Sequence, residues 1–487
     1  MAGACHRFAI ESSGKRGENA GHMAEFDFDL AVVGGGSGGY AAARTAVDAG
    51  LRTVVIDGAE ELGGLCILRG CMPTKAMLEA AEVLHLAGNT APWGIQTTGA
   101  GFDYAQVLAR KRFLIDEFAG YRRQQLQAGR FTLRRAPARF LDPHTLDLGA
   151  AGTLTARNFV LSTGSVPAPA PLPALAALDC ATSDDALAWE QLPESVIVLG
   201  GGLVAVEFAQ LLVRFGVRVA LVQRGTHLLR GFDTDAAEVL ATVLRREGVD
   251  LYTGTELLDA DRAGGQKRVR FRHGDREVTL AAAEVLLASG RVPNTAGLDL
   301  ARAGVVTEGA RIVTNAAQQT SAPHIYAAGD CTGKHEIVHI AIQQGEIAAH
   351  NIARPERRRE MDYRLVTSVG FTEPQVATVG LTERRAQAEG VQYIAANYPF
   401  ADHGKSMIMH ALDGFVKLLA DPATGEILGG ACVGPQGGEL IHEIIAAMYK
   451  RMTVAELAAM PHYHPTLAEI WTYPAEELAG QVVPAQS

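Results

Sequence analysis

The chain has 487 residues, 48% hydrophobic and 20% charged, which means about three domains at roughly 100–200 residues each and excludes a low-complexity, disordered polymer. With 54 acidic against 44 basic residues, a net charge of −10 and no long Lys/Arg run, it is not a general nucleic-acid binder. Six cysteines are too sparse for a disulfide scaffold and point to a cytoplasmic enzyme whose thiols act individually.

Residues 1–22 are polar, contain no apolar stretch of signal-peptide length and read as an unstructured extension, with Met23 as a second candidate start. No run of 18 apolar residues occurs. The longest candidate, Val196 to Val213, is broken by Gly200–Gly202 and Glu207 and reads as strand, turn and helix. No membrane partner is expected.

From Leu30 the sequence predicts an apolar strand, the turn Gly34-Gly-Gly-Ser-Gly-Gly39, a helix of small residues to Ala49, a stop at Gly50 and a second strand ending at Asp57. This is a βαβ unit. Gly34 permits the tight turn, Gly36 lets backbone N–H groups approach a pyrophosphate, and Gly39 lets the helix pack on the strand. Ser37 opens the helix, whose N-terminus favours an anion. Asp57, 23 residues after Gly34, is placed to accept hydrogen bonds from the free ribose hydroxyls of FAD or NAD.

Next comes Leu62-Gly-Gly-Leu-Cys66-Ile-Leu-Arg-Gly-Cys71-Met-Pro-Thr-Lys75. Residues five apart on a regular helix have Cα atoms about 8–9 Å from each other, whereas a disulfide needs less than about 7 Å. Cys66 and Cys71 therefore bridge only across irregular backbone, which Gly63, Gly64 and Gly70 permit. Such a bridge is reducible, as a catalytic disulfide must be. A helix starting near Pro73 pulls a thiol toward the thiolate. Cys180, Cys331 and Cys432 read as packing residues.

A second βαβ unit runs from Ser195 through Gly200-Gly-Gly-Leu-Val-Ala205 to Gln223, with a stop at Gly216. Gly200, Gly202 and Ala205 repeat the roles of Gly34, Gly36 and Gly39. Gln223 stands where the first unit has Asp57, with Arg224 next and Arg230 six residues later. No carboxylate would repel a 2′-phosphate, and two guanidiniums can bind one. This favours NADP, while the reading of both arginines as solvated loop residues keeps NAD open. Ser289–Asn294 and Tyr326–Asp330 read as strand-to-loop junctions, and Asp330 beside Gly329 can accept from a ribityl or ribose hydroxyl.

With both glycine-rich units and the CysxxxxCys-Met-Pro-Thr-Lys segment, the chain resembles the class I pyridine nucleotide-disulfide oxidoreductases, from about residue 26 to 475. Ser162-Thr-Gly-Ser-Val-Pro167, Gly290-Arg-Val-Pro-Asn294, Gly329-Asp330, Phe371-Thr-Glu-Pro374 and His462-Tyr-His-Pro-Thr-Leu-Ala-Glu469 add to the match. The resemblance implies an α/β fold with two Rossmann-like domains, for FAD and NAD(P), and a C-terminal α+β dimerisation domain. The expected divisions are 1–22 extension, 23–167 first FAD part, 168–288 NAD(P) domain, 289–365 second FAD or central part, and 366–487 dimerisation domain.

The resemblance also implies a mechanism. Cys71 forms the charge-transfer thiolate beside the flavin, Cys66 exchanges with substrate sulfur, and Lys75 pairs with Glu207 near both cofactors. His464 acts as acid–base from the partner subunit, oriented by Glu469. His462, outside that role, reads as a structural histidine. The FAD set is Gly34, Gly36, Ser37, Gly39, Asp57, Gly64, Lys75, Thr163, Gly164 and Asp330. The NAD(P) set is Gly200, Gly202, Ala205, Glu207, Gln223, Arg224, Arg230 and Gly290. No metal is expected.

Within the family, the missing C-terminal vicinal cysteines and the presence of His464 argue against mercuric reductase. Gly34–Gly39, Arg44 and Arg224/Arg230 look like glutathione reductase. Glu346 stands where that enzyme carries an Arg, and a carboxylate there repels glutathione. Tyr40 and His339 look like dihydrolipoamide dehydrogenase; Leu65 and Ile67-Leu68-Arg69 fit neither. The expected activity is dihydrolipoyl dehydrogenase-like, in a homodimer with a shared active site, on lipoamide or a lipoyl domain. The alternatives are an NADPH-dependent reductase of a small disulfide and a non-catalytic flavin-binding redox sensor.

Overall fold

The computed structural model describes residues 26–483, so the extension 1–22 and the start at Met23 lie outside it. Strands Phe28–Val33, Thr53–Ile56 and Thr132–Arg134 run parallel, in the order 132–134, 53–56, 28–33, then Thr153–Leu161 on the other side. Leu30, Ala31 and Val32 are fully buried, as expected of a parallel sheet covered on both faces. The first half of Thr153–Leu161 pairs with the hairpin Arg139–Asp142/Thr145–Asp147, and its last residues with Ile325–Ala327. The chain therefore leaves this sheet and returns to it more than 160 residues later.

The crossing is a two-stranded ribbon, Ser165–Pro167 against Arg291–Pro293. Between its strands lies the second parallel sheet, ordered 250–253, 218–223, 195–199, 284–287. An antiparallel sheet of Thr255–Ala263, Gln266–His273 and Arg276–Ala282 adjoins it. Beyond residue 366 the sheet is antiparallel, in the order 367–370, 375–380, 427–434, 415–420, 394–399. The helix Gly437–Tyr449 packs its Ile441 and Ile444 into that unit's core. The chain is thus α/β, with two Rossmann-like units and a C-terminal α+β unit. Among the described residues no helix is long and apolar enough to cross a membrane.

One helix contact positions the first site. Helices Ser37–Asp48 and Val338–Ala353 cross so closely that a Cβ on Gly345 would stand 2.2 Å from Gly38 O. Any side chain at residue 345 would push apart the two helices that frame the first nucleotide turn.

Candidate active site

Cys66 lies in the short helix Leu65–Leu68, and Cys71 is the first residue of the helix Cys71–Gly88. Gly70, at the break between them, has the irregular pair φ −124, ψ −110. Both are free thiols, neither fully buried. The Cys66 thiol donates a hydrogen bond to Cys71, lowering the Cys71 pKa to about 7 against an opposing burial effect; the Lys75 ammonium adds to the lowering. The same hydrogen bond, with burial, pushes Cys66 far up. The pair holds its single negative charge on Cys71, at a helix N-terminus.

Lys75 stands one turn along that helix. Its Nζ donates to Glu207 Oε1 at 3.0 Å and Oε2 at 2.8 Å. Glu207 is buried on the helix Leu203–Arg214. Its Oε1 also accepts from Phe371 N at 2.9 Å, and the Lys75 ammonium lies 4.6 Å from the Phe371 ring centroid. One turn on, Gln210 accepts from Glu373 N at 2.8 Å and donates to Glu373 O at 2.6 Å. The Phe371-Thr-Glu-Pro374 segment is therefore gripped through its backbone by two side chains of the second Rossmann helix. Gln210 is a residue the sequence reading did not single out.

The first nucleotide turn is built for close approach. Gly34, at φ +103, would put a Cβ 2.2 Å from Ser162 O, and a Cβ on Gly39 would stand 1.9 Å from Gly34 O. Gly36 precedes Ser37 at a helix start that no side chain caps, so first-turn N–H groups remain for an anion. Gly64 closes over this turn, where its Cβ would be 2.8 Å from Gly36 Cα. Asp57 Oδ2 accepts from Gly35 N and Oδ1 from Ala59 N, both at 2.9 Å. At the end of the adjacent strand Thr163 Oγ1 is sealed from solvent without a hydrogen-bond partner, and Gly164 follows. Asp330 Oδ2 accepts from Ser165 Oγ at 2.7 Å. An uncapped helix start, a glycine cradle and an orphaned hydroxyl fit a dinucleotide such as FAD.

The second turn repeats the geometry. A Cβ on Gly200 would stand 2.2 Å from Ala288 O, Gly202 leaves its helix uncapped, and Ala205 is fully buried. The Gln223 side chain lies over Gly201. Arg224 and Arg230 are exposed and make no hydrogen bond or ion pair among the described residues. Gly290, at φ +120, sits in the loop after strand Glu284–Leu287.

His464 Nδ1 lies 2.9 Å from Glu469 Oε2. Glu469 is 9% exposed and His464 78% exposed, so a buried carboxylate presents an open imidazole. Glu469 Oε1 is also 3.3 Å from Nε2 of the fully buried His403, a neighbour no sequence spacing indicated. His462 pairs with Glu443 at 2.6 Å. No hydrogen bond or ion pair among the described residues joins His464 to Cys66, Cys71 or Lys75.

Glu346, the carboxylate expected to disfavour glutathione, forms an ion pair with Arg44 at 2.5 Å, and both side chains remain partly exposed.

Residues 28–345 match the family described as pyridine nucleotide-disulphide oxidoreductase, and residues 366–475 match that family's dimerisation domain. A dihydrolipoyl dehydrogenase of Bacillus subtilis is 32% identical over 458 residues, covering 91% of this chain and 96% of its own. One of Thermus scotoductus is 34% identical over 463 residues, covering 94% and 98%. A mercuric reductase of Staphylococcus aureus is 32% identical over 445 residues, covering 91% and 81%. Overall identity thus does not separate the two activities. Among solved structures, the HOCl-induced flavoprotein disulfide reductase RclA from Escherichia coli superposes with a TM-score of 0.81 at 25% identity, covering 92% of this chain and 99% of that one.

Proposed function

The chain belongs to the pyridine nucleotide-disulphide oxidoreductase family, and from that premise we propose how its residues divide the work. The protein is an FAD- and NAD(P)-dependent oxidoreductase acting on sulfur groups, of the dihydrolipoyl dehydrogenase type. The observation that carries the assignment is the dithiol: Cys66 and Cys71 are free thiols on either side of a helix break, with the Lys75–Glu207 pair one turn behind Cys71.

FAD, when bound, passes two electrons between the nicotinamide and this cysteine pair. In the oxidising direction one thiolate of the dithiol substrate attacks Cys66 Sγ and breaks the Cys66–Cys71 bond, leaving a Cys71 thiolate. The second substrate sulfur then attacks the mixed disulfide and releases Cys66 as a thiol. His464 takes the substrate's two protons in turn, passing one to the departing Cys66 and keeping the other as an imidazolium that Glu469 stabilises until solvent takes it. The open face of His464 and its lack of any link to its own cysteines support a site completed by the partner subunit of a homodimer. The cytoplasm is its proposed location, and lipoamide or a lipoyl domain the proposed substrate.

A second reading, an NADPH-dependent reductase of a small disulfide, is favoured by the exposed Arg224 and Arg230 that follow Gln223. Anaerobic titration of the purified protein with NADH and with NADPH, followed by turnover with dihydrolipoamide, separates the two. Efficient NADH-linked turnover supports the first; flavin bleaching by NADPH alone supports the second. Cys66→Ser should abolish disulfide turnover while leaving flavin reduction by the nicotinamide, and surviving turnover would refute the dithiol mechanism.

A further inference from the structure

Glu469 stands between two imidazoles. His464 Nδ1 lies 2.9 Å from its Oε2 and 3.2 Å from its Oε1, and Nε2 of His403 lies 3.3 Å from the same Oε1. The two histidines differ in setting, since His464 is open to solvent and His403 is fully buried. On the far side of its ring, His403 Nδ1 is 2.8 Å from Oγ of Ser406, also fully buried, in the short helix Gly404–Met409. Four side chains thus run from the surface into the core, in the order His464, Glu469, His403, Ser406. Asp402 and Lys405 flank His403 in the chain, and Tyr473 of the helix Thr472–Ala479 meets its ring edge-on, 6.3 Å between centroids. Burial holds the His403 pKa down against the opposing pull of Glu469, so the ring is neutral at neutral pH.

A neutral imidazole carries one N–H, and the partner of one ring nitrogen decides which nitrogen bears it. The Ser406 hydroxyl, donating to Nδ1, leaves the proton on Nε2, beside the carboxylate. Nε2 is sealed from solvent and makes no well-aligned hydrogen bond. A buried N–H without an acceptor is costly, and Glu469 Oε1 is the acceptor next to it. We propose that His403, backed by Ser406, is a positioning residue for the acid–base pair: its N–H engages Oε1 of Glu469, which keeps Oε2 for His464 and draws off part of the carboxylate's charge. His403 acts through Glu469 alone. The inference rests on the acid–base role proposed for His464 and adds what sets the strength of that base.

The experiment uses the FAD-loaded enzyme and diethyl pyrocarbonate, which acylates an imidazole only in its neutral form. The pH dependence of modification at His464, read by peptide mass spectrometry, therefore reports the titration of that ring without any turnover. In His403→Leu the carboxylate's charge acts on His464 alone and favours the imidazolium. The midpoint should rise by about one pH unit, the scale of one hydrogen bond to a charged group. The kcat for dihydrolipoamide should fall roughly tenfold with KM little changed. His403→Gln, whose amide N–H reaches the position of Nε2, should restore most of both. Flavin reduction by the nicotinamide, which does not use His464, should keep its wild-type rate. An unchanged midpoint in His403→Leu overturns the proposal, as does an equal loss in flavin reduction and dithiol turnover, the mark of a purely structural role. If His403→Leu does not fold, Ser406→Ala takes its place: it frees the tautomer and should raise the midpoint by less, and no rise overturns the proposal. If the wild-type enzyme turns over no dithiol, the functional reading fails, while the titration of His464 still reports on His403.

Discussion

Lys75 Nζ is held 2.8 Å from Glu207 Oε2, although the two residues are 132 positions apart and belong to different Rossmann units. Glu207 is 4% exposed, and its other oxygen also supports Phe371 N. The pair ties the dithiol helix, the second nucleotide helix and the start of the C-terminal sheet to one carboxylate. Lys75→Met leaves that buried charge without its cation, a change that costs about 3–5 kcal/mol. The variant should unfold at lower temperature and hold FAD less firmly, and Lys75→Arg should recover part of both. Thermal release of flavin fluorescence reads this directly.

The thiol pair predicts a pH profile. Cys71 is lowered to about 7, first by the hydrogen bond from Cys66. The folded site therefore favours the thiolate, and that form is lost as pH falls through about 7. Thiolate ultraviolet absorbance of the reduced enzyme should fall with a midpoint near this value. Cys66→Ala removes the largest lowering cause, so the midpoint should move up toward the ordinary thiol range. A midpoint that stays put would show that Lys75 and the helix N-terminus set the value alone.

His464 and Glu469 predict complementation between subunits. Neither Cys66→Ser nor His464→Ala homodimers should turn over a dithiol. If the imidazole serves the partner's cysteines, each mixed dimer carries one intact site, with Cys66 from one chain and His464 from the other. Random reassortment makes about half the dimers mixed, so activity should return to about a quarter of wild type. Refolding the two variants together and assaying the mixture checks this. No recovery, with mixed dimers demonstrated by mass, would place the whole site in one subunit.

The parts legible in the sequence are those whose chemistry is carried by short spacing. The turn at Gly34–Gly39, its copy at Gly200–Ala205, the Cys66–Cys71 segment and His464 with Glu469 each lie within a few residues of chain. Local backbone rules constrain such segments strongly. Arg122 over Tyr40, His403 beside Glu469 and Gln210 on the Glu373 backbone are different. Their partners are 66 to 163 positions away, and no periodicity announces them, since only the packing of helices and sheets brings them together. Glu346 and Arg44, 302 positions apart, likewise meet only in the fold.

The nicotinamide preference rests on Gln223, Arg224 and Arg230. Gln223 ends its strand over the glycine turn, where a carboxylate would contact free ribose hydroxyls. Both arginines are exposed and make no hydrogen bond or ion pair among the described residues, so a 2′-phosphate would be a strong partner for them. Replacing both with Ala should raise KM for NADPH roughly tenfold or more while changing KM for NADH little, because only the phosphate distinguishes the two. Gln223→Glu should push the same way by repelling that phosphate, and should improve NADH. Since each substitution acts at the surface, stability should move by no more than about 0.5 kcal/mol. Steady-state kinetics with both nucleotides check the prediction. Equal effects on NADH and NADPH would return the arginines to the solvated surface and leave the preference with Gln223.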